Sequence, residues 1–583
     1  MNTMSAGNRA IVSATTSGIR QQILTALVLM GMFSTSVMAG ELKFTRIFSD
    51  NMVLQCDVPA PVWGWADPGE KITVQFNGQE KSAIAGADGK LMVRLEPLTA
   101  SCEPKILTVT GKTDKKEFKN VVVGEVWVCS GQSNMEANFK QLGLLNEIKD
   151  VNYPMIRIVG FISQVNPIPT EFIWPGFSWN ICNTNNTFVI QGFPCVPYYF
   201  ALYLWKELKV PIGVIHASAG SSSIEAWMPP ESFAANESWK EQLADIEKVQ
   251  KQYREYSGYS LDEKERIAIE ISKDKYGCIM ESRLRKNMTA EEAEYFLAEK
   301  KRIAGEISKN KDGIVLESKL HKNLTAEEAE YFFRFSLLLR PACLYNYKIR
   351  PLISYAMRGA IWYQGGTDTY RMKLKPGYAD KQKALVETWR KLWGQGDFPF
   401  YFVQTAPYHG FRDMLEFWLE QYKAVSAVKN SAMITTVDIG DINNCHPKNK
   451  KDVGLRLALL ALKNTYGRKG IVASGPVYKS MKITDGKITV AFDWVGGGLA
   501  TKDGKEPDSF EVAGADGRFC PAKAVITGDK VTVSSPDVVN PQHVRYAWSY
   551  VANPNLRNKE GLGAFPFSTE KLQKYDIGGT WAK

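Results

Sequence analysis

The chain has 583 residues, too many for one hydrophobic core, so two or three domains are expected. With 44% hydrophobic and 11% aromatic residues it has the composition of a packed globular protein, and a formal charge of +10 is modest for its length. The basic residues mostly alternate with acids, and no Lys/Arg stripe interleaved with aromatics argues for nucleic acid.

Residues 1–39 read as a signal peptide. Arg9 and Arg20 precede an apolar run, Ile23 to Phe33, and Val37-Met38-Ala39 offers small residues where a signal peptidase reads them. The run is too short to span a bilayer, so export with cleavage after Ala39 is expected, to a periplasm or the cell exterior, without stable membrane insertion. Cleavage removes Arg9 and Arg20 and no acid, which takes the formal charge from +10 to +8. Nine cysteines are an odd count, and none has paired metal-ligand spacing, so no metal site is expected. In an oxidising compartment Cys182 and Cys195 could pair, whereas Cys129 and Cys445 read as small buried residues.

Residues 40–120 carry short strand patterns with turn punctuation: Pro61-Val-Trp-Gly-Trp-Ala, Lys71-Ile-Thr-Val-Gln-Phe and Lys90-Leu-Met-Val-Arg-Leu, separated by Asp67-Pro-Gly and Asp88-Gly. They predict a small antiparallel β-domain. From Val121 the pattern changes to apolar strands separated by helix-length segments: Pro211-Ile-Gly-Val-Ile-His, Gly359-Ala-Ile-Trp-Tyr-Gln, Phe400-Tyr-Phe-Val-Gln and Ala432-Met-Ile-Thr-Thr-Val-Asp. That alternation predicts an α/β sheet with helices on both faces, over 121–235 and 336–467. Strand-and-turn patterns return over 468–583, as in Lys487-Ile-Thr-Val-Ala-Phe.

Residues 236–335 form a charged, helix-favouring insertion with an internal duplication. Asn287-Met-Thr-Ala-Glu-Glu-Ala-Glu-Tyr-Phe recurs as Asn323-Leu-Thr-Ala-Glu-Glu-Ala-Glu-Tyr-Phe, and Glu270-Ile-Ser-Lys recurs as Glu306-Ile-Ser-Lys, both at an offset of 36 residues. Thr289 with Glu292, and Thr325 with Glu328, fit capping boxes that start a helix in each copy. Two copies are too few for a solenoid, and a helical arm is expected.

The stretch from Gly124 to Glu136 runs from an apolar strand pattern into a tight small-residue turn presenting Ser133. Such a junction holds a hydroxyl at a sheet edge, where a base can reach it and backbone N–H groups can face an oxyanion. Five histidines are available as that base. His321 lies in the charged repeat and has Arg285 as its counterpart. His543 lies in the late β-region, His409 in a Tyr-His-Gly loop, and His216 ends a strand where a buried structural role is the commoner outcome. His446 stands in the loop leaving an apolar strand and entering Asp452-Val-Gly-Leu-Arg-Leu, the position at which open α/β sheets build their sites. Turns after two other strands, with Gly220 and Gln364, offer oxyanion donors beside the Ser133 N–H.

Together these segments resemble the sialate O-acetylesterase family of the SGNH-hydrolase superfamily. Gly131-Gln-Ser-Asn-Met matches its first block. The Gly220 turn ending in Ile224-Glu-Ala-Trp-Met-Pro, then Trp362-Tyr-Gln-Gly, then His446-Pro-Lys-Asn-Lys with Val453-Gly-Leu-Arg-Leu-Ala, are similar to the later ones. The resemblance implies a three-layer α/β/α hydrolase domain with flanking β-domains, and a serine carboxylic-ester hydrolase that removes acetyl groups from sugars without metal or cofactor. The implied substrate is 9-O-acetylated sialic acid, with acetylxylan or another acetylated glycan as the alternative. Ser133 is the implied nucleophile and His446 the base. Trp227, Trp362 and Tyr363 are candidates for stacking on sugar rings.

Three departures stand out. Gly366 replaces the family's usual Glu, and Asp368 occupies the place of an oxyanion-hole Asn; an ionised carboxylate donates no hydrogen bond, which leaves Gln364 as the expected donor. Asn443 and Asn444 stand where an orienting Asp is common, so Asp441 is the expected substitute, with Asp438 or a carbonyl as alternatives. These departures also admit a catalytically impaired carbohydrate-binding relative.

Overall fold

The structure is a computed structural model that describes residues 41–160, 165–171, 177–184, 192–255, 336–372, 377–411 and 413–571. The expected signal peptide, both duplicated segments with their capping boxes, and His321 lie outside the described residues.

One strand organises the molecule. Lys115–Gly131 alternates exposed and half-buried residues over its first six positions and is then buried without interruption from Val121 to Gly131. Its first half pairs antiparallel with Ser101–Thr110 in the leading β-region, and its second half enters a parallel sheet. The change of pattern has a simple cause, because a parallel sheet covered on both faces has no solvent face to reward alternation. The 120/121 boundary thus falls inside a single continuous strand.

The central sheet has the spatial order Asn180–Asn183, Asn152–Gly160, Ile212–Ser218, Lys115–Gly131, Gly359–Tyr363, Phe400–Val403, Ser431–Ile434. All of its pairings are parallel except that of the outermost Asn180–Asn183 strand. Successive side chains point to opposite faces, so Trp127, Cys129, Ile361 and Tyr363 share one core with helices Cys195–Leu208 and Lys450–Leu460. Val126, Val128, Ala360 and Trp362 face helices Tyr378–Trp393 and Met414–Ala427 on the other side. This is the expected three-layer α/β/α arrangement. Sheets within 477–568 enclose a third core around Val490, Val531, Val544 and Tyr546.

Cys182 and Cys195 are both buried free thiols. Among the described residues no helix is long and apolar enough to cross a membrane.

Candidate active site

The register of the sheet brings three strand ends level, with both Ser218 and Tyr363 standing opposite Gly131. Gly131 has φ +132°, and a Cβ there would lie 2.3 Å from the Tyr363 carbonyl oxygen, so only glycine lets the chain turn this close to its neighbour. Gln132 N–H donates to that carbonyl at 2.9 Å, and the one-turn helix Ser133–Glu136 begins immediately. Ser133 is therefore placed by backbone geometry at the carboxyl edge of the sheet. Its own N–H has no hydrogen-bond acceptor among the described residues.

His446 lies on the loop between strand Ser431–Ile434 and helix Lys450–Leu460. Its Nε2 is 2.7 Å from Ser133 Oγ, and both residues are half-buried. The other described histidines are engaged elsewhere. His216 is buried, bonded through Nε2 to Ser218 Oγ, and burial, with Lys348 nearby, pushes its pKa down to about 3. His409 holds the Ile442 carbonyl through Nδ1 at 2.7 Å, and His543 sits on a strand paired with Phe510–Ala513.

The expected orienting carboxylate is placed differently. Asp441 starts a turn in which Asn444 N–H donates to its carbonyl, and its side chain accepts from Asn443 N–H at 3.0 Å. The tight turn folds that carboxylate onto its own backbone. Cys445 Sγ lies 3.6 Å from His446 Nδ1. Asp438 is taken by the Arg456 guanidinium in a buried two-pronged pair of 2.7 and 2.6 Å.

Two expected oxyanion donors are also otherwise occupied. Gly220 N–H donates to Glu136 Oε2 at 2.6 Å. Gln364 Nε2 donates to the Ser222 carbonyl at 3.1 Å and to Asp368, while its Oε1 accepts from Tyr378 at 2.8 Å. For Gln364 the cause is burial, since a polar group shut away from water must find its partners inside. Asp368 belongs to a buried charge cluster in which Glu225 pairs with Arg371 and Lys381 at 2.9 Å each, and Arg371 also reaches Asp368. Burial, reinforced by Glu225, pushes the Asp368 carboxyl up; Glu225 is held low by the two cations against the opposing effect of burial.

The proposed sugar-stacking residues are core residues. Trp227, Trp362 and Tyr363 are 0%, 1% and 3% exposed. Trp227 Nε1 donates to Ser222 Oγ and its ring meets Trp362 edge-on, which in turn packs against Trp389. Large aromatic surfaces are worth most where they are wholly removed from water, and here the sheet and its helices remove them.

Two neighbours of the site escaped sequence reasoning. Lys450 is buried, and burial pushes its ammonium down to about 7; Asn134 lies between it and the Cys445 carbonyl. Both stand inside the blocks around Ser133 and His446, and their nearness to those residues was the available signal. Among the described residues, one cluster of metal-type ligand atoms, Cys56, Asp57 and Glu125, lies against the Arg358 guanidinium, whose Nε is 2.7 Å from Glu125.

Residues 343–463 match the family described as carbohydrate esterase, sialic acid-specific acetylesterase. The chain is 24% identical over 553 residues to a sialate O-acetylesterase of Mus musculus, covering 87% of this chain and 89% of the relative. It is 24% identical over 480 residues to a sialate O-acetylesterase of Rattus norvegicus, covering 76% and 77%. Among solved structures, a carbohydrate acetylesterase from Xanthomonas citri aligns with a TM-score of 0.68 and 28% identity, over 91% of this chain and all of that one.

Proposed function

We propose, from the premise that this chain belongs to the sialate O-acetylesterase family of carbohydrate esterases, that Ser133 and His446 hydrolyse acetyl esters on sugars through an acyl-enzyme. Ser133 Oγ attacks the acetyl carbonyl while His446 Nε2 takes its proton. The imidazolium returns that proton to the departing sugar oxygen. Water, activated by the same imidazole, then displaces acetate from Ser133. The Ser133 N–H faces the developing oxyanion. The catalytic unit is 121–235 with 336–467, the enzyme is exported after cleavage at Ala39, and its substrate is 9-O-acetylated sialic acid.

The observation supporting this reading is the 2.7 Å contact between Ser133 Oγ and His446 Nε2 at the carboxyl edge of a parallel sheet. The test is acetate release by the purified mature protein from 9-O-acetylated sialic acid beside acetylated xylan. The reading expects turnover greater on the first substrate and abolished by Ser133→Ala and by His446→Ala. Turnover retained in Ser133→Ala overturns the mechanism, and preference for acetylxylan overturns the substrate.

A further inference from the structure

Lys450 opens the helix Lys450–Leu460, yet its side chain is turned into the protein and the residue is 1% exposed. An ammonium removed from water is costly unless its donors are satisfied. Among the described residues no carboxylate forms an ion pair with it. Its Nζ donates instead to Asn134 Oδ1 at 2.5 Å and lies 5.6 Å from the centroid of the Tyr363 ring, whose face attracts a cation.

That arrangement dictates the orientation of Asn134. Lys450 Nζ donates to the amide oxygen of Asn134, so the amide nitrogen points the other way. The nitrogen meets the Cys445 carbonyl at 2.9 Å. Asn134 follows Ser133 and Cys445 precedes His446. The Asn134–Cys445 bond therefore runs beside the Ser133–His446 contact and joins the same two loops. The cation that orients it stands four residues beyond His446, on the helix the loop enters.

We propose that Lys450 is a positioning residue which, by orienting Asn134, clamps the His446 loop to the Ser133 turn and holds imidazole and hydroxyl at transfer distance. The proposal rests on Ser133 and His446 being the reacting pair. Its physical logic is that small misplacements of reacting groups are expensive in rate, while substrate affinity is set by other contacts.

Two variants break the clamp differently. Lys450→Met keeps an unbranched side chain, one atom shorter, and removes the donor. Asn134→Asp keeps an acceptor for Lys450 but offers no donor to the Cys445 carbonyl. Steady-state kinetics on a soluble acetyl ester should show kcat lowered about 10- to 100-fold in each, with KM within about twofold. In the double variant the losses should not multiply, because both changes remove one shared device. Wild-type kcat in folded Lys450→Met overturns the proposal, as do losses that multiply; where Lys450→Met fails to fold, wild-type kcat in Asn134→Asp overturns it. Ser133→Ala, run alongside, separates the two levels: if it retains activity the reacting pair itself is wrong, whereas an inert Ser133→Ala beside a fully active Lys450→Met refutes the clamp alone.

Discussion

Ser133 Oγ and His446 Nε2 lie 2.7 Å apart although 313 positions separate them in the chain. A hydroxyl in that contact is activated toward electrophiles other than its substrate. A small 4-nitrophenyl alkylphosphonate should therefore phosphonylate Ser133, forming the Oγ–P bond and expelling 4-nitrophenolate, read as a single mass increase on intact protein. His446→Ala should slow labelling at least about 100-fold, the scale of a positioned general base. Equal labelling rates with and without His446 would show that the contact does not activate the serine.

Asp441 bonds the Asn443 N–H within its own turn. Its replacement should accordingly have little effect on the reaction. We expect Asp441→Asn to lower kcat less than about tenfold, compared with roughly ten-thousand-fold when a tautomer-selecting carboxylate is lost. Measured kcat on an acetyl ester distinguishes the two.

At Gly366 the space that a side chain would need is already filled. A Cβ there would lie 2.8 Å from the Phe411 ring and 3.2 Å from Gln132 Nε2. Gly366→Glu should cost about 1–3 kcal/mol of stability by overpacking. It should also impair activity, because Gln132 adjoins Ser133 and accepts the Gly365 N–H at 2.8 Å. Adding Phe411→Ala should recover part of both losses in urea unfolding and acetate-release assays.

Trp227 contributes to the core, not to the substrate surface. Trp227→Ala should destabilise the protein by about 3–5 kcal/mol, as truncation of a wholly buried aromatic does. The KM of the remaining folded enzyme for a small acetyl ester should be unchanged. A large rise in KM without loss of stability would restore Trp227 to the binding site.

His216 is held at a pKa of about 3 by burial, against an unfolded value near 6.5. Between these values the unfolded chain binds more protons, so stability declines as pH falls from about 6.5 toward 3. Lys348, pushed down by burial to about 8, stays charged across that window. His216→Gln should show a shallower loss of Tm over the same range, while carboxylates common to both proteins titrate alike.

Much of the candidate site's local geometry is legible in the sequence. The apolar run into Gly131, the turn presenting Ser133 and the loop carrying His446 are short-range patterns, set by strand periodicity and by the steric freedom of glycine. The alternation of strands with helix-length segments predicted the layered sheet, and the scarcity of histidines narrowed the choice of base. The short-range pattern was not enough for Trp362 and Tyr363, which lie on a strand whose two faces are both covered by helices packed from distant parts of the chain.

What the sequence by itself determined is which residue types stand at the strand ends and how the turns bend there. Only the tertiary structure decided how the hydrogen bonds are shared: Gly220 N–H goes to Glu136, Gln364 to Ser222 and Asp368, Asp441 to its own turn, and Lys450 to Asn134. The physical reason is that a donor or acceptor takes whichever partner folding brings within about 3 Å, and a buried one has no water as an alternative. Most of these partners come from other segments, so no local pattern announces them.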